Sequence, residues 1–303
     1  MNKDGAKGSR AARWLVSAPP LLFLLVFFAA PSAIMILTSF RFPGEFGGLA
    51  PLSAPAGTTD GEYGFTAEAY QFFFSDTLYL RIFLKSFVVA IATTLICLIM
   101  AYPLALLIAR SKKHLRNLMV MLVVLPFASN FLIRIYAWMI ILGPESSFSH
   151  FVNSVLAGLG VAPVTLLFSS FAVLVGMVYV HLPFMVLPLY TNLEKHDPAL
   201  LNAAQDLGAN SWQRFWRVTW PLSLPGVFSG SALVFIPVLG MFAVPDILGG
   251  TGDILIGNLI KDQFLGTRDW PFGSALSIML TLAVLTAAAL AAWFARPRRG
   301  VQA

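Results

Sequence analysis

Apolar residues in this chain come in long, nearly unbroken runs separated by short polar stretches, the pattern of helices that cross a lipid bilayer. A spanning helix needs about 20 mostly apolar residues to cross roughly 30 Å of hydrocarbon. Six runs qualify: Trp14–Phe40, Ser86–Ala109, Leu118–Leu142, Leu166–Leu189, Leu224–Val244 and Ser274–Phe294. They predict an all-α integral membrane fold of six transmembrane helices, a single domain over residues 1–303 with a short polar tail over residues 1–13. Lys3, Lys7, Arg10 and Arg13 precede the first run, as in a secretory signal. Its apolar stretch exceeds the roughly 7–15 residues of a signal core, so it is predicted to stay as a span. Pro19, Pro20, Pro31, Pro103, Pro126, Pro183, Pro188 and Pro237 lie inside the runs. Each removes a backbone bond and bends its helix, which a membrane bundle tolerates because neighbours re-satisfy the freed carbonyl.

Composition agrees with lipid as the solvent. The chain is 58% hydrophobic and 11% charged, with a mean hydropathy of +0.79, whereas a soluble domain is about a quarter charged. The net charge of +6 does not indicate nucleic acid, because the basic residues sit in short loops and not along one solvated face. Their distribution instead sets orientation. With six spans both termini share a side, and that side holds Lys3, Lys7, Arg10, Arg13, Arg110, Lys112, Lys113, Arg116, Lys195, Arg214, Arg217, Arg296, Arg298 and Arg299. The opposite side holds only Arg41, Arg81, Lys85, Lys261 and Arg268, while Arg134 falls inside a span. Cytoplasmic loops carry the excess of Lys and Arg, so both termini are expected in the cytoplasm. The outer loops lean acidic, with Glu45, Asp60, Glu62, Glu68, Asp76, Glu145, Asp253, Asp262 and Asp269. In the longest of them, Phe65, Tyr70, Phe72, Phe73 and Phe74 read as a short amphipathic segment at the membrane surface. Cys97, the one cysteine, has no intrachain partner and reads as a small buried apolar residue.

The cytoplasmic loop between the fourth and fifth runs, about residues 193–223, is unlike the others. Asp197 is a good N-cap, and Pro198 follows at the first helical position, where its missing N–H costs nothing. Leu200, Leu201, Ala204 and Leu207 share a face, and Gly208 is a good stop. The result is a capped helix of about ten residues, far too short to span. A second short helix is expected from Ser211 as cap, with Trp212, Phe215, Trp216 and Trp220 interleaved with Arg214 and Arg217. That mix belongs at the headgroup level, and Pro221 and Pro225 are expected to end it.

The order Asn202-Ala203-Ala204, Gly208, then Val218-Thr219-Trp220-Pro221 resembles the EAA loop of inner-membrane permeases of binding-protein-dependent ABC importers. Asn202 stands where the family has glutamate, and Trp220 where it has an apolar residue before the proline. The resemblance implies that Ala203, Ala204, Asp206, Gly208 and Pro221 belong to a coupling helix that docks into a groove on the ATPase subunit. Leu132-Ile133-Arg134-Ile135-Tyr136-Ala137-Trp138, Val244 to Gly250, Ile256 to Ile260 and Asp269 to Gly273 are similar to the polyamine (spermidine/putrescine) permeases, most of all the first of the two. Relatives for ferric iron, phosphonates or opines share parts of these motifs. The resemblance further implies an ATPase dimer, a second homologous permease chain and a periplasmic substrate-binding protein as partners.

Enzyme chemistry is not legible. Gly252 to Gly257 has the spacing of a phosphate-binding loop, but Asn258-Leu259 replaces the Lys-Ser/Thr that holds phosphate and magnesium. No cofactor is expected on this chain, and ATP and Mg are expected on the partner ATPase. None of His114, His150, His181 and His196 follows the fourth run, where an intramembrane serine protease would want a base. A secondary transporter would carry buried acids or inverted repeats, and neither accounts for the short capped helix. A polyamine pathway needs carboxylates and aromatic faces, for which Tyr136, Trp138, Asp246, Asp269 and Trp270 are the candidates. Arg134 is expected to pair with an acid or backbone carbonyls near the outer end of the third run.

Overall fold

The computed structural model describes residues 17–53 and 63–295, with side chains through residue 289. The N-terminal Lys3, Lys7, Arg10, Arg13 and Trp14, the outer-loop acids Asp60 and Glu62, and Arg296, Arg298 and Arg299 lie outside the described residues. Within them the chain is a succession of helices with only two isolated bridges, Arg41 with Phe65 and Pro43 with Leu49. It divides into two compact units, one of residues 1–77 and 260–303 and one of residues 78–259.

Among the described residues, five helices are long and apolar enough to cross a membrane: α1 (Ser17–Thr38), α3 (Thr77–Arg110), α7 (Ser170–Leu193), α9 (Ser211–Gly240) and α12 (Trp270–Ala295). They correspond to the first, second, fourth, fifth and sixth apolar runs. The third run differs. It is split into α4 (Lys113–Val124), with a 3₁₀ turn at Leu125–Ala128, and α5 (Phe131–Leu142). Lys113–Ala128 and the stretch Phe131–Gly158 are bent by 93°. The cause is local. Pro126 favours the tight turn, Ser129 is extended (ψ 153°), and the Asn130 side chain accepts from the Leu132 N–H at 2.8 Å to start a new helix. Counting the bent pair as one span gives six. After α5 comes a short amphipathic α6 (Ser147–Gly158).

In the first unit, α1 and α12 pack together and α12 also meets α2 (Glu68–Ser75). Leu21 to Phe28 of α1 present only exposed side chains, a surface suited to lipid. The aromatic segment of the long outer loop forms α2, but it does not simply lie on the surface. Phe73 is fully buried, Phe72 meets Phe272 edge-on at 5.3 Å, and the Tyr70 hydroxyl donates to Ser39 Oγ at 2.8 Å. Phe65 and Phe74 remain strongly exposed and Phe72 half-exposed.

In the second unit the core is the α7–α9 pair. Gly226 and Gly230, four apart on α9, let the backbones approach: a Cβ on Gly226 would lie 2.8 Å from Asn192 Cβ, and one on Gly230 would lie 2.8 Å from Met185 Sδ. In lipid, such close packing takes the place of hydrophobic burial. A short α10 (Ala243–Leu248) packs on α5 and α7, with Val244 and Leu248 filling the space over Gly176. α11 (Ile256–Leu265) follows.

Candidate functional site

The loop after α7 builds α8 (Pro198–Asp206) as its spacing requires. The Asp197 carboxylate accepts from the Ala199 N–H at 2.9 Å, and Pro198 occupies the first helical position. At the other end Gly208 adopts φ +81°. Its N–H reaches Gln205 O at 2.8 Å, and the Ala209 N–H reaches Ala204 O at 3.0 Å, the paired bonds of a Schellman stop. α8 is thus a stiff element closed at both ends. Asn202, Ala203, Asp206 and Gly208 are exposed, and Leu207 at the tip is 89% exposed. Ala204 and Leu201 turn partly inward, so the apolar face is divided: Leu200 and Leu207 stand outward, Leu201 and Ala204 toward the unit. A cleft of about 400 Å³ lies at its base, where Pro198 and Leu201 face Arg110, Glu194 and Thr219.

Two polar contacts fix α8 to its surroundings. Arg214 Nη1 donates to Gln205 Oε1 at 2.8 Å, and His196 Nε2 lies 3.1 Å from Leu222 O. At the end of α7, Glu194 pairs with Arg116 of α4 at 2.7 Å. The second half of the loop departs from expectation. The cap is Asn210, whose side chain exchanges bonds with Gln213 in a capping box, and Ser211 is the first helical residue. Nor do Pro221 and Pro225 end the helix. A π-helical segment, Phe215–Thr219, absorbs the register change, and α9 runs on from Ser211 to Gly240. An inserted π turn re-aims the carbonyls that the Pro221 ring would otherwise strike. Pro221 is exposed in the first turn after that segment.

The pathway candidates fall in different places. In the second unit α5 carries Arg134, Tyr136 and Trp138, and α10, packed on α5, carries Asp246. Tyr136 is 48% exposed, Trp138 meets Tyr179 edge-on at 5.5 Å, and Asp246 is exposed. Arg134 does not find the acid or carbonyl expected of it. Its guanidinium carbon lies 5.2 Å from the Phe127 ring centroid, and its buried Nε has no hydrogen-bond partner among the described residues. The bend between α4 and α5 causes this, because it folds Phe127 back over the first turn of α5, where a π-face replaces a carboxylate. In the first unit the Asp269 carboxylate accepts from the Phe272 N–H at 3.0 Å, in the manner of a cap for α12, and the Trp270 ring lies over Gly48.

Two groupings escaped the sequence reading. Asn258, 4% exposed, donates from Nδ2 to Phe242 O at 3.0 Å and to Asp246 Oδ1, while its Oδ1 accepts from the Leu255 N–H. It therefore fixes where the Asp246 carboxylate sits. The only signal was its place in Ile256-Gly257-Asn258. Asp253 accepts from Lys85 Nζ at 2.9 Å, from the Ser170 hydroxyl and from the Gly250 N–H at 3.1 Å. Burial pushes its carboxyl pKa up, but the bonds from Ser170, Lys85 and Gly250 and the charge on Lys85 outweigh that and hold it below its ordinary value. Among the described residues no group of three or more His, Cys, Asp or Glu could hold a metal ion.

Comparison with known proteins agrees with this architecture. Residues 101–297 match the family model described as the binding-protein-dependent transport system inner membrane component. The spermidine/putrescine transport system permease protein PotB of Haemophilus influenzae is 46% identical over 231 residues, covering 74% of this chain and 79% of that protein. The Escherichia coli K12 protein of the same name is 46% identical over 209 residues, 68% of this chain and 74% of its own. The E. coli inner membrane ABC transporter permease protein YdcU is 31% identical over 212 residues, 65% of this chain and 66% of its own. Among solved structures, a chain of a bacterial ABC transporter involved in the import of the acidic polysaccharide alginate superposes with a TM-score of 0.68 at 17% identity, covering 98% of this chain and 100% of that one. With helices arranged as in a transporter permease and close relatives that are permeases, this chain belongs to the binding-protein-dependent transport system inner membrane components, as a multi-pass ABC-importer permease.

Proposed function

We propose that this chain forms the translocation pathway for polyamines, putrescine or spermidine, delivered by a periplasmic binding protein. The observation that carries this reading is the 46% identity to spermidine/putrescine permeases across 74% of the chain. The exposed Asp246 on α10, the helix packed on the α5 that carries Tyr136 and Trp138, supports it, since an ammonium pairs with a carboxylate and is attracted to a π-face. Asp269 and Trp270 in the first unit supply the same chemistry. Arg134, without a carboxylate partner among the described residues, favours one alternative: an anionic cargo such as a phosphonate, a ferric complex or an opine.

α8 is the element that docks on the ATPase, with Ala203, Ala204, Asp206 and Gly208 at the contact and Pro221 behind it. Its stiff caps and exposed Leu207 support this role, because a lever must be rigid and present a surface to its partner. Asn202 replaces the family's acid there, so the contact relies on shape and apolar area. One chain presents one such helix and an ATPase dimer presents two grooves, so the assembly takes a second, related permease chain. ATP and Mg reside on the ATPase, and both termini of this chain lie in the cytoplasm. The binding protein lands on the outer loops, chiefly that between Arg41 and Lys85. The membrane chain needs no covalent chemistry. It needs two arrangements whose balance ATP and the loaded binding protein shift.

Uptake of labelled putrescine and spermidine, in cells with and without this chain, tests the reading. Saturable uptake lost on deletion and restored by the gene is the expected result. Unchanged polyamine uptake, with competition by phosphonates or ferric complexes instead, overturns the substrate and leaves the importer.

A further inference from the structure

The first ten residues of α9 are in the wrong place for hydrocarbon and have the wrong composition for a soluble loop. α9 runs 30 residues from Ser211 to Gly240, about 45 Å at 1.5 Å per residue, whereas the hydrocarbon core takes roughly 30 Å. The part from Pro221 onward is apolar apart from serines and fills that core. Ser211 to Trp220 therefore stands in the headgroup layer.

There the rings make a continuous stack. Trp212 meets Trp216 at 5.6 Å, Trp216 meets Trp220 at 5.6 Å, and Phe215 bridges Trp212, Trp216 and Trp220. Tyr102 of α3 closes the stack against Phe215 and Trp220. The outer rings are open, with Trp212 70% and Trp216 45% exposed. Beside them Arg214 is held by Gln205 and Ser211, but the Arg217 guanidinium is exposed and enters no hydrogen bond or ion pair among the described residues. No acidic residue occurs between Asp206 and Asp246, so nothing on the segment neutralises it. Arg110 lines the adjoining cleft with Thr219. The acids on that cleft are otherwise engaged, Glu194 with Arg116 and Asp197 as the cap of α8.

We propose that the aromatic and arginine segment Ser211–Trp220 is a seat for an anionic phospholipid headgroup of the membrane leaflet beside α8. Arg217 carries the phosphate contact, and Trp212 and Trp216 pack on the glycerol and upper acyl region. An aromatic ring with a polar edge suits this depth, and a guanidinium matches phosphate geometry. Because Arg214 ties the same segment to Gln205 of α8, a lipid held there also steadies α8. The inference rests on where the segment lies in the bilayer and not on the identity of the cargo.

The test uses the assembled transporter in nanodiscs of phosphatidylcholine with graded phosphatidylglycerol. One lipid at a time carries brominated acyl chains that quench nearby indoles. The part of the quenching lost in a W212F/W216F variant belongs to this segment. In the wild-type complex that part should favour phosphatidylglycerol over phosphatidylcholine by about fivefold, the worth of one basic residue at a membrane surface. R217Q should bring the two lipids to parity, while R217K should retain most of the preference. Equal quenching by both lipids in the wild type, or an unchanged preference in R217Q, overturns the proposal. The readout needs no transport, so failure of the polyamine reading leaves it standing.

Discussion

Lys85 of α3 and Asp253, 168 positions later in the loop after α10, meet at 2.9 Å, and the same ammonium donates to the Gly252 carbonyl at 2.6 Å. Ser170, at the start of α7, adds its hydroxyl to the same carboxylate. One acid thereby ties together the ends of two spans and an irregular loop. Ile256 N–H donating to Ser86 Oγ at 2.8 Å reinforces the tie one residue along α3.

Because the Asp253 carboxyl is held below its ordinary value of 3.8, its ionised form favours the folded unit. That contribution is complete above the unfolded value and is lost as pH falls through the lower folded one. D253N should weaken the unit at neutral pH by about 1–3 kcal/mol, the scale of a charge-assisted bond lost with its partners left behind. It should also remove the share of acid-side stability loss that Asp253 contributes in the wild type below about pH 4. Thermal unfolding in detergent across pH checks both, and a D253N curve parallel to wild type on the acid side would contradict the assignment.

Gly208 separates conformational from steric causes. A Cβ there would meet nothing within 4 Å, so a side chain finds room, and the cost lies in φ +81°. G208N should be tolerated, because Asn visits the left-handed region. G208V should cost about 1–2 kcal/mol in the helix stop and lower ATPase assembly and uptake together. Equal behaviour of the two variants would show that the backbone conformation is not what matters.

Gly226 and Gly230 should respond differently to alanine. At Gly230 the nearest obstructing atom is Met185 Sδ, on a flexible side chain, with the Met185 carbonyl oxygen next at 3.3 Å, whereas at Gly226 the nearest is Asn192 Cβ at 2.8 Å, fixed to the α7 backbone. G226A should destabilise by about 1–3 kcal/mol as an overpacked contact, and G230A by clearly less. Detergent melting midpoints rank them.

Asn258 is buried and holds Asp246 through a side-chain hydrogen bond. If Asp246 meets the ammonium, D246N should raise the KM for polyamine uptake about tenfold or more, the worth of a charge-assisted bond. N258A should raise it in the same direction, with the chain still inserted and assembled. A KM unchanged in both, with assembly intact, removes Asp246 from the pathway.

Much of this was legible from order and composition alone. Spanning length, the cap-proline-glycine grammar of α8 and the aromatic-arginine mix of the next segment are local properties, set by backbone hydrogen bonding and by the transfer of side chains to lipid. Such signals do not depend on what lies across the molecule. The break within the third span was not foreseen because hydropathy counts apolar residues and is blind to a break. Leu118 to Leu142 is apolar enough to count as one span despite Ser129 and Asn130 at its centre, yet Pro126 and the Asn130 cap break it into two segments bent by 93°. The continuation of α9 past Pro221 was missed for a related reason: a π turn repairs a proline only when neighbours hold the helix in place.

What tertiary structure alone decided is who meets whom. Arg134 lies over Phe127 and not beside an acid, Asn258 holds Asp246, and Lys85 reaches Asp253. The first two depend on how neighbouring helices turn back on one another, the last on elements 168 positions apart arriving at one spot, and a charge or amide in the sequence carries no mark of its partner. The sequence determined that this chain lives in a bilayer and that Pro198–Asp206 forms a short capped helix, because solvent preference and helix capping act residue by residue. The tertiary structure decided which polar groups face each other, because only packing brings together, at hydrogen-bonding distance, groups far apart along the chain.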